Sequence, residues 1–168
     1  MRHNMTGRTT ANCLSPHVRG SEVVRRGFLL SQEMMQLMSK VIRVLIIEDS
    51  DDLRNILQKL LQYRASDIEV VASAASGIEG IELAEEYQPD IVLMDINLPG
   101  LDGIEVTKTI RQEVPSSQVI LMSGQVEPDN LRRSMAAGAR HLLVKPIDGD
   151  ELISTIRTTY ESTASAER

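Results

Sequence analysis

Tryptophan is absent from these 168 residues, phenylalanine occurs once (Phe28) and tyrosine three times, so the core has to be aliphatic. The same scarcity argues against binding nucleic acid by stacking bases on aromatic rings. The single cysteine, Cys13, cannot close an internal disulfide, and no apolar run reaches the roughly 18 residues that a bilayer span needs. A cytoplasmic setting without membrane insertion is expected. Basic residues do precede Gly27-Phe28-Leu29-Leu30, but that stretch is too short for the apolar core of a secretory signal. No Gly-x4-Gly-Lys-Ser/Thr loop occurs, which disfavours a P-loop nucleotidase.

Positive charge is also in short supply. The net charge is −6, and the first 40 residues hold six basic and two acidic residues, leaving twelve basic and twenty-two acidic beyond them. The remainder is therefore strongly acidic, a poor partner for a phosphate backbone, and no nucleic-acid partner is expected. Histidines are too few and too scattered for a metal cluster: His3 and His17 lie in the irregular N-terminal segment, and His141 suits a surface or partly buried structural role.

From Val41 onward, short apolar runs alternate five times with helical periodicity, the pattern of βα units around a parallel sheet. The expected strands are Ile42–Ile47, Ile68–Ala72, Ile91–Met94, Val119–Met122 and Leu142–Val144. Four of them read as buried on both faces, whereas Glu69 marks the second as a half-exposed edge. Leu53, Ile56, Leu57, Leu60 and Leu61 give the first helix one apolar face, and Leu152, Ile153, Ile156 and Tyr160 do the same for the last. Ser76 to Glu79, Asp102 to Glu105 and Asp148 to Glu151 have capping-box character, Pro128 fits a first helical turn, and Gly138 fits a helix stop. Pro99 and Gly100 read as turn residues, with Gly103 letting the backbone come close.

These signals divide the chain into a basic, disordered extension over 1–40, one domain over 41–160 and a short tail over 161–168. Within the extension, Met34, Met35 and Met38 are alternative translation starts, a hypothesis that the intact mass of the native protein tests. A competing reading makes Leu30, Met34, Leu37, Met38 and Val41 a short amphipathic helix for self-association.

In an open parallel sheet, ligands bind beyond the carboxyl ends of the strands, so residues just after each strand matter most. Here these are Glu48 and Asp49, then Asp95, then Ser123, then Lys145 followed by Pro146. Carboxylates brought together raise each other's pKa, and a third worsens the repulsion, which calls for a cation. Mg2+ suits an all-oxygen site with few carboxylates and a phosphate substrate. Asp95 can then act as a nucleophile forming an acyl phosphate, with Lys145 pairing to one phosphoryl oxygen and Ser123 donating to another.

The set Leu45-Ile46-Ile47-Glu48-Asp49, Asp95-Ile96-Asn97-Leu98-Pro99-Gly100-Leu101-Asp102-Gly103, Leu121-Met122-Ser123-Gly124 and Val144-Lys145-Pro146 resembles the receiver domains of bacterial two-component response regulators, from Val41 to Tyr160. The resemblance implies an α/β fold: a doubly wound, flavodoxin-like, five-stranded parallel sheet in the order 2-1-3-4-5, with helices on both faces. It implies that Asp95 is the phosphorylation site and a metal ligand, that Glu48 and Asp49 serve Mg2+, and that Asn97 offers it a main-chain carbonyl. Ser123 is then the switch hydroxyl, and Lys145 contacts the phosphoryl group. A sensor histidine kinase or histidine phosphotransfer protein is the implied donor. Output is expected to go to an unknown downstream protein, or to a homodimer through the fourth-helix, fifth-strand and fifth-helix face, because 161–168 is too short to be read as an output domain. The only chemistry expected is self-phosphotransfer and autodephosphorylation at Asp95. From Asp148 to Tyr160 the chain resembles, more weakly, receivers fused to pilus-assembly ATPases.

One position departs from the pattern. Leu142 stands where many such domains carry Tyr or Phe, so the usual aromatic rotation has no side chain to perform it. Two rival readings remain. One is a receiver-like docking module that is never phosphorylated. The other is a phosphohydrolase, which is disfavoured because Asn97 stands where a second catalytic Asp is expected.

Overall fold

The computed structural model describes residues 41–125 and 127–166, without the side chains of 164–166. The N-terminal readings, including the extension over 1–40, lie outside the described residues. In chain order the elements are β1 (Ile42–Ile47), α1 (Asp51–Arg64), β2 (Ile68–Ala74), α2 (Gly77–Tyr87), β3 (Ile91–Asp95), α3 (Gly103–Glu113), β4 (Gln118–Ser123), α4 (Pro128–Ala136), β5 (Ala139–Val144) and α5 (Gly149–Ala166). The five strands are all parallel in the order β2-β1-β3-β4-β5, the doubly wound arrangement expected. α5 continues to Ala166, through most of the stretch read as a tail.

Successive side chains of a strand point to opposite faces, and the central strands use that period to build two cores. Leu45, Ile47, Val92, Met94, Val119 and Leu121 face one way, onto Ala84 of α2 and Ile104, Val106 and Ile110 of α3. Val44, Ile46, Ile91, Leu93, Ile120 and Met122 face the other, onto Leu57 and Leu61 of α1 and Leu152, Ile153 and Ile156 of α5. Each fully buried Leu or Ile adds about 1.5–3 kcal/mol, so the aliphatic composition is sufficient for a stable core without large aromatics.

Two expectations are corrected. β5 is not buried on both faces: as the last strand of the sheet it leaves Arg140, His141 and Val144 exposed. Ile56 does not join the buried face of α1 but is 58% exposed. At 100° per residue it sits roughly 120° round the helix from the midpoint of Leu57 and Leu61, at the flank of the stripe.

The caps form, although not as reciprocal boxes. Ser76 Oγ accepts from Glu79 N at 3.3 Å, while the Glu79 carboxylate accepts from Ala75 N at 2.9 Å, one residue before the cap. Asp102 accepts from Ile104 N at 2.9 Å, and Glu105 pairs with Lys108 instead of reaching back. Asp148 accepts from the amides of Asp150 and Glu151 at 2.9 and 3.0 Å. Pro128 begins α4, and Gly138, at φ 98°, turns the chain into β5 in a conformation that favours glycine.

α5 is tied to the start of β2 by a fork: Arg157 donates to both oxygens of Asp67 at 2.7 and 2.6 Å. The hydrogen bond from Arg157 is the main cause holding the Asp67 carboxyl below its usual range. A depressed acid contributes stability that is present above its unfolded pKa and is lost as pH falls through the folded value. Because both side chains are partly exposed, Asp67→Asn is expected to cost only about 0.5 kcal/mol near neutrality. Urea unfolding of the two proteins should differ at neutral pH and converge in strong acid; a difference persisting there would rule out the charge as its source.

Candidate functional site

The carboxyl ends of β1, β3, β4 and β5 meet at one edge of the sheet and bring the anticipated residues with them. Glu48 leaves β1 buried, and Asp49 follows it into solvent. Asp95 ends β3 at 5% exposure. One ligand oxygen from each of Glu48, Asp49 and Asp95 lies within 4.8 Å of the others. Between two of them sits Lys145, just past β5, whose Nζ donates to Glu48 Oε2 at 2.8 Å and to Asp95 Oδ2 at 2.7 Å. The Lys145–Pro146 peptide is cis.

Burial and charge oppose each other here. Burial is the largest influence on Glu48 and pushes its carboxyl above the usual range, despite the hydrogen bond and charge of Lys145. Burial would pull Lys145 down, but its bonds to Asp95 and Glu48 together with their charges push it up. Lys145 is therefore held as an ammonium, bonded to two buried carboxylates.

The other two expected residues stand at the rim. Asn97 is exposed, and its amide donates to Asp95 Oδ1 at 3.1 Å, fixing the carboxylate from the loop side. Ser123 is 2% exposed and adjoins Lys145, whose amide donates to the Ser123 carbonyl at 2.8 Å. The Ser123 hydroxyl is turned into its own loop, donating to Gln125 O at 2.6 Å. Leu142 is half-buried against the core that carries α2 and α3.

Two residues near the site, Arg54 and Arg133, went unremarked in the sequence. Arg54, in the first turn of α1, donates to the Glu48 carbonyl at 2.5 Å and pairs with Asp51, clamping the loop that carries the acid pair. The signal was available: one arginine follows Asp49, Asp51 and Asp52 at helical spacing. The other, Arg133, forms an ion pair over 2.7 Å with Asp102, which the sequence marked only as a helix cap; the two are 31 residues apart, and no local pattern announces the pairing.

Gly103 closes the loop after β3. A Cβ there would lie 2.3 Å from the Asp95 carbonyl oxygen and 2.9 Å from Ile96 Cα, both backbone atoms that cannot rotate away. Gly103→Ala is expected to cost about 3 kcal/mol, the upper part of the overpacking range, because the backbone bearing Asp95 has to shift. Equilibrium unfolding checks this, and a loss under about 1 kcal/mol would mean the loop yields freely.

Residues 44–157 match the family model described as the response regulator receiver domain. The transcriptional regulatory protein LiaR of Bacillus subtilis is 35% identical over 127 residues, covering 76% of this chain and 60% of LiaR. The chemotaxis protein CheY of Listeria monocytogenes is 31% identical over 116 residues, covering 69% of this chain and 96% of that protein. The crystal structure of the response regulator domain of Thermotoga maritima CheB matches with a TM-score of 0.67 at 32% identity, covering 72% of this chain and 97% of that one. The chain spans 54 to 61% of the length of the first transcriptional regulators and response regulators it matches. Among the described residues, no helix is long and apolar enough to cross a membrane. With the sheet order, the convergent carboxylates and a family match over most of its length, this chain belongs to the response regulator receiver domains of two-component systems.

Proposed function

We propose that this receiver domain accepts a phosphoryl group on the carboxylate of Asp95 from a phosphohistidine of a sensor kinase or histidine phosphotransfer protein, and relays its modification state to a partner protein. The observation that carries the reading is Lys145 Nζ held between Asp95 and Glu48 with Asp49 alongside. Three carboxylates against one ammonium leave negative charge in excess, and an all-oxygen set of this kind fits Mg2+. Glu48, Asp49 and Asp95 would hold the ion with the main-chain carbonyl of Asn97. Bound there, Mg2+ supplies charge that keeps Asp95 ionised and offsets the phosphoryl oxygens.

The transfer needs little more from the protein than position. An Asp95 oxygen attacks phosphorus, the bond from phosphorus to the donor imidazole nitrogen breaks, and that nitrogen keeps the electron pair. Lys145 Nζ, already on Asp95 Oδ2, would pair with a phosphoryl oxygen. For Ser123 to donate to another, its hydroxyl must leave Gln125 O, and the β4–α4 loop changes with it. That exchange of hydrogen bonds is the switch. Incubation with Mg2+ and a small acyl-phosphate donor, read by intact mass, should add one phosphoryl group. No gain would leave the non-phosphorylated docking module as the surviving account.

A further inference from the structure

α4 is lightly anchored. Within the helix only Ser134 is buried, and among the described residues its hydroxyl finds no hydrogen-bond partner. Leu131 and Met135 are 42% and 48% exposed. Its ion pair to another element, among the described residues, runs from Arg133 Nη2 to Asp102 Oδ2 at 2.7 Å.

Asp102 is the residue that sets the geometry of the loop after β3. Its other oxygen caps α3 through Ile104 N at 2.9 Å, and its backbone forms an antiparallel bridge with Asn97. Asn97 N in turn donates to Asp95 Oδ1 at 3.1 Å. Gly103, next to Asp102, donates to Ile96 O at 2.9 Å and leaves no room for a Cβ beside the Asp95 carbonyl. Moving Asp102 therefore moves Asn97, and its hydrogen bond to Asp95 moves with it.

We propose that Arg133 is a positioning residue for the phospho-acceptor site: from α4 it holds Asp102, and through the Asn97–Asp102 bridge it fixes the loop that would complete the Mg2+ site. The proposal rests on the metal-dependent reading above. Coupling of this kind is reciprocal, so a change in cation occupancy at Asp95 also changes how firmly α4 is held. Leu142, half-buried and apolar, offers no polar alternative from the neighbouring strand.

The test follows Mg2+ binding directly, by titrating the full chain with Mg2+ alone and recording backbone amide NMR shifts at Asn97 and along α4. Arg133→Ala removes the pair. Asp102→Asn removes its charge while retaining a cap oxygen, so the variant does not depend on losing α3. Both are expected to weaken Mg2+ binding two- to fivefold, a modest effect because Arg133 and Asp102 are partly exposed, and the double variant is expected to be no weaker than either single one. Arg133→Lys should restore most of the affinity. The Mg2+ concentration giving half-maximal phosphorylation should shift in parallel, with the rate at saturating Mg2+ unchanged. A purely structural pair would lower the melting temperature and leave Mg2+ affinity at the wild-type value, which would overturn the proposal. Wild-type protein that binds no Mg2+ would remove the metal-dependent reading itself, a different and separately visible result.

Discussion

Replacing Asp95 with asparagine is expected to abolish phosphoryl uptake, with no mass gain under conditions that phosphorylate the parent chain fully. The substitution keeps the shape of the side chain and an oxygen for the Asn97 amide, but an amide has no anionic oxygen with which to attack phosphorus. It leaves the other acids in place, so any phosphate still acquired would report attack by Glu48 or Asp49, both within 4.8 Å ligand-atom reach of Asp95. Folding should survive. Lys145 retains Glu48 at 2.8 Å, and removing one of two buried carboxylates relieves their mutual repulsion. A loss of phosphorylation accompanied by unfolding would therefore contradict the electrostatic account even though activity disappeared. Retained phosphorylation, mapped to another residue, would displace Asp95 as the acceptor.

The central sheet was readable because β1, β3 and β4 are buried on both faces and appear as near-continuous aliphatic runs. β5 resisted the same reading because Leu142-Leu143-Val144 is equally apolar and contains no charged residue of the kind that Glu69 supplies to mark β2 as an edge. Ile56 went astray for a narrower reason, since i, i+3 spacing admits a residue at the flank of a stripe as readily as one at its centre. The convergence of Glu48, Asp49, Asp95 and Lys145 was legible because strand ends in a parallel sheet share one edge, which turns distance in sequence into proximity. Side-chain direction was not. Ser123 ends β4 at the same edge of the sheet, yet its hydroxyl serves Gln125 in this conformation, and only a three-dimensional hydrogen-bond pattern could say so. Arg133 is a fair example of the opposite kind: a surface arginine by composition, and a link to Asp102 only once α4 is packed beside α3.

Lys145→Met should produce a large loss of stability, and Mg2+ should reverse much of it. The side chains of Glu48 and Asp95 are 1% and 7% exposed, and the ammonium of Lys145 bonds to both. Removing one partner of a buried ionic group typically costs about 3–5 kcal/mol, because the remaining charges are left dry and unpaired. Partial protonation limits that cost, since burial already raises the Glu48 carboxyl, and loss of the lysine removes the influences that hold it down. About 2–3 kcal/mol is therefore expected in chelator-treated buffer, read by urea unfolding. The oxygens released by Lys145 are also those of two expected metal ligands, so ammonium and divalent ion compete for the same negative charge. Deleting the ammonium makes the pocket more anionic and its affinity for Mg2+ higher. A ligand at a hundred times its dissociation constant adds about 2.7 kcal/mol, enough to restore most of the loss. Mg2+ should accordingly stabilise the variant more than it stabilises the parent chain. Equal stabilisation of the two would mean that the cation binds away from these oxygens, and a variant as stable as the parent without Mg2+ would mean that Lys145 is not what offsets the buried charge.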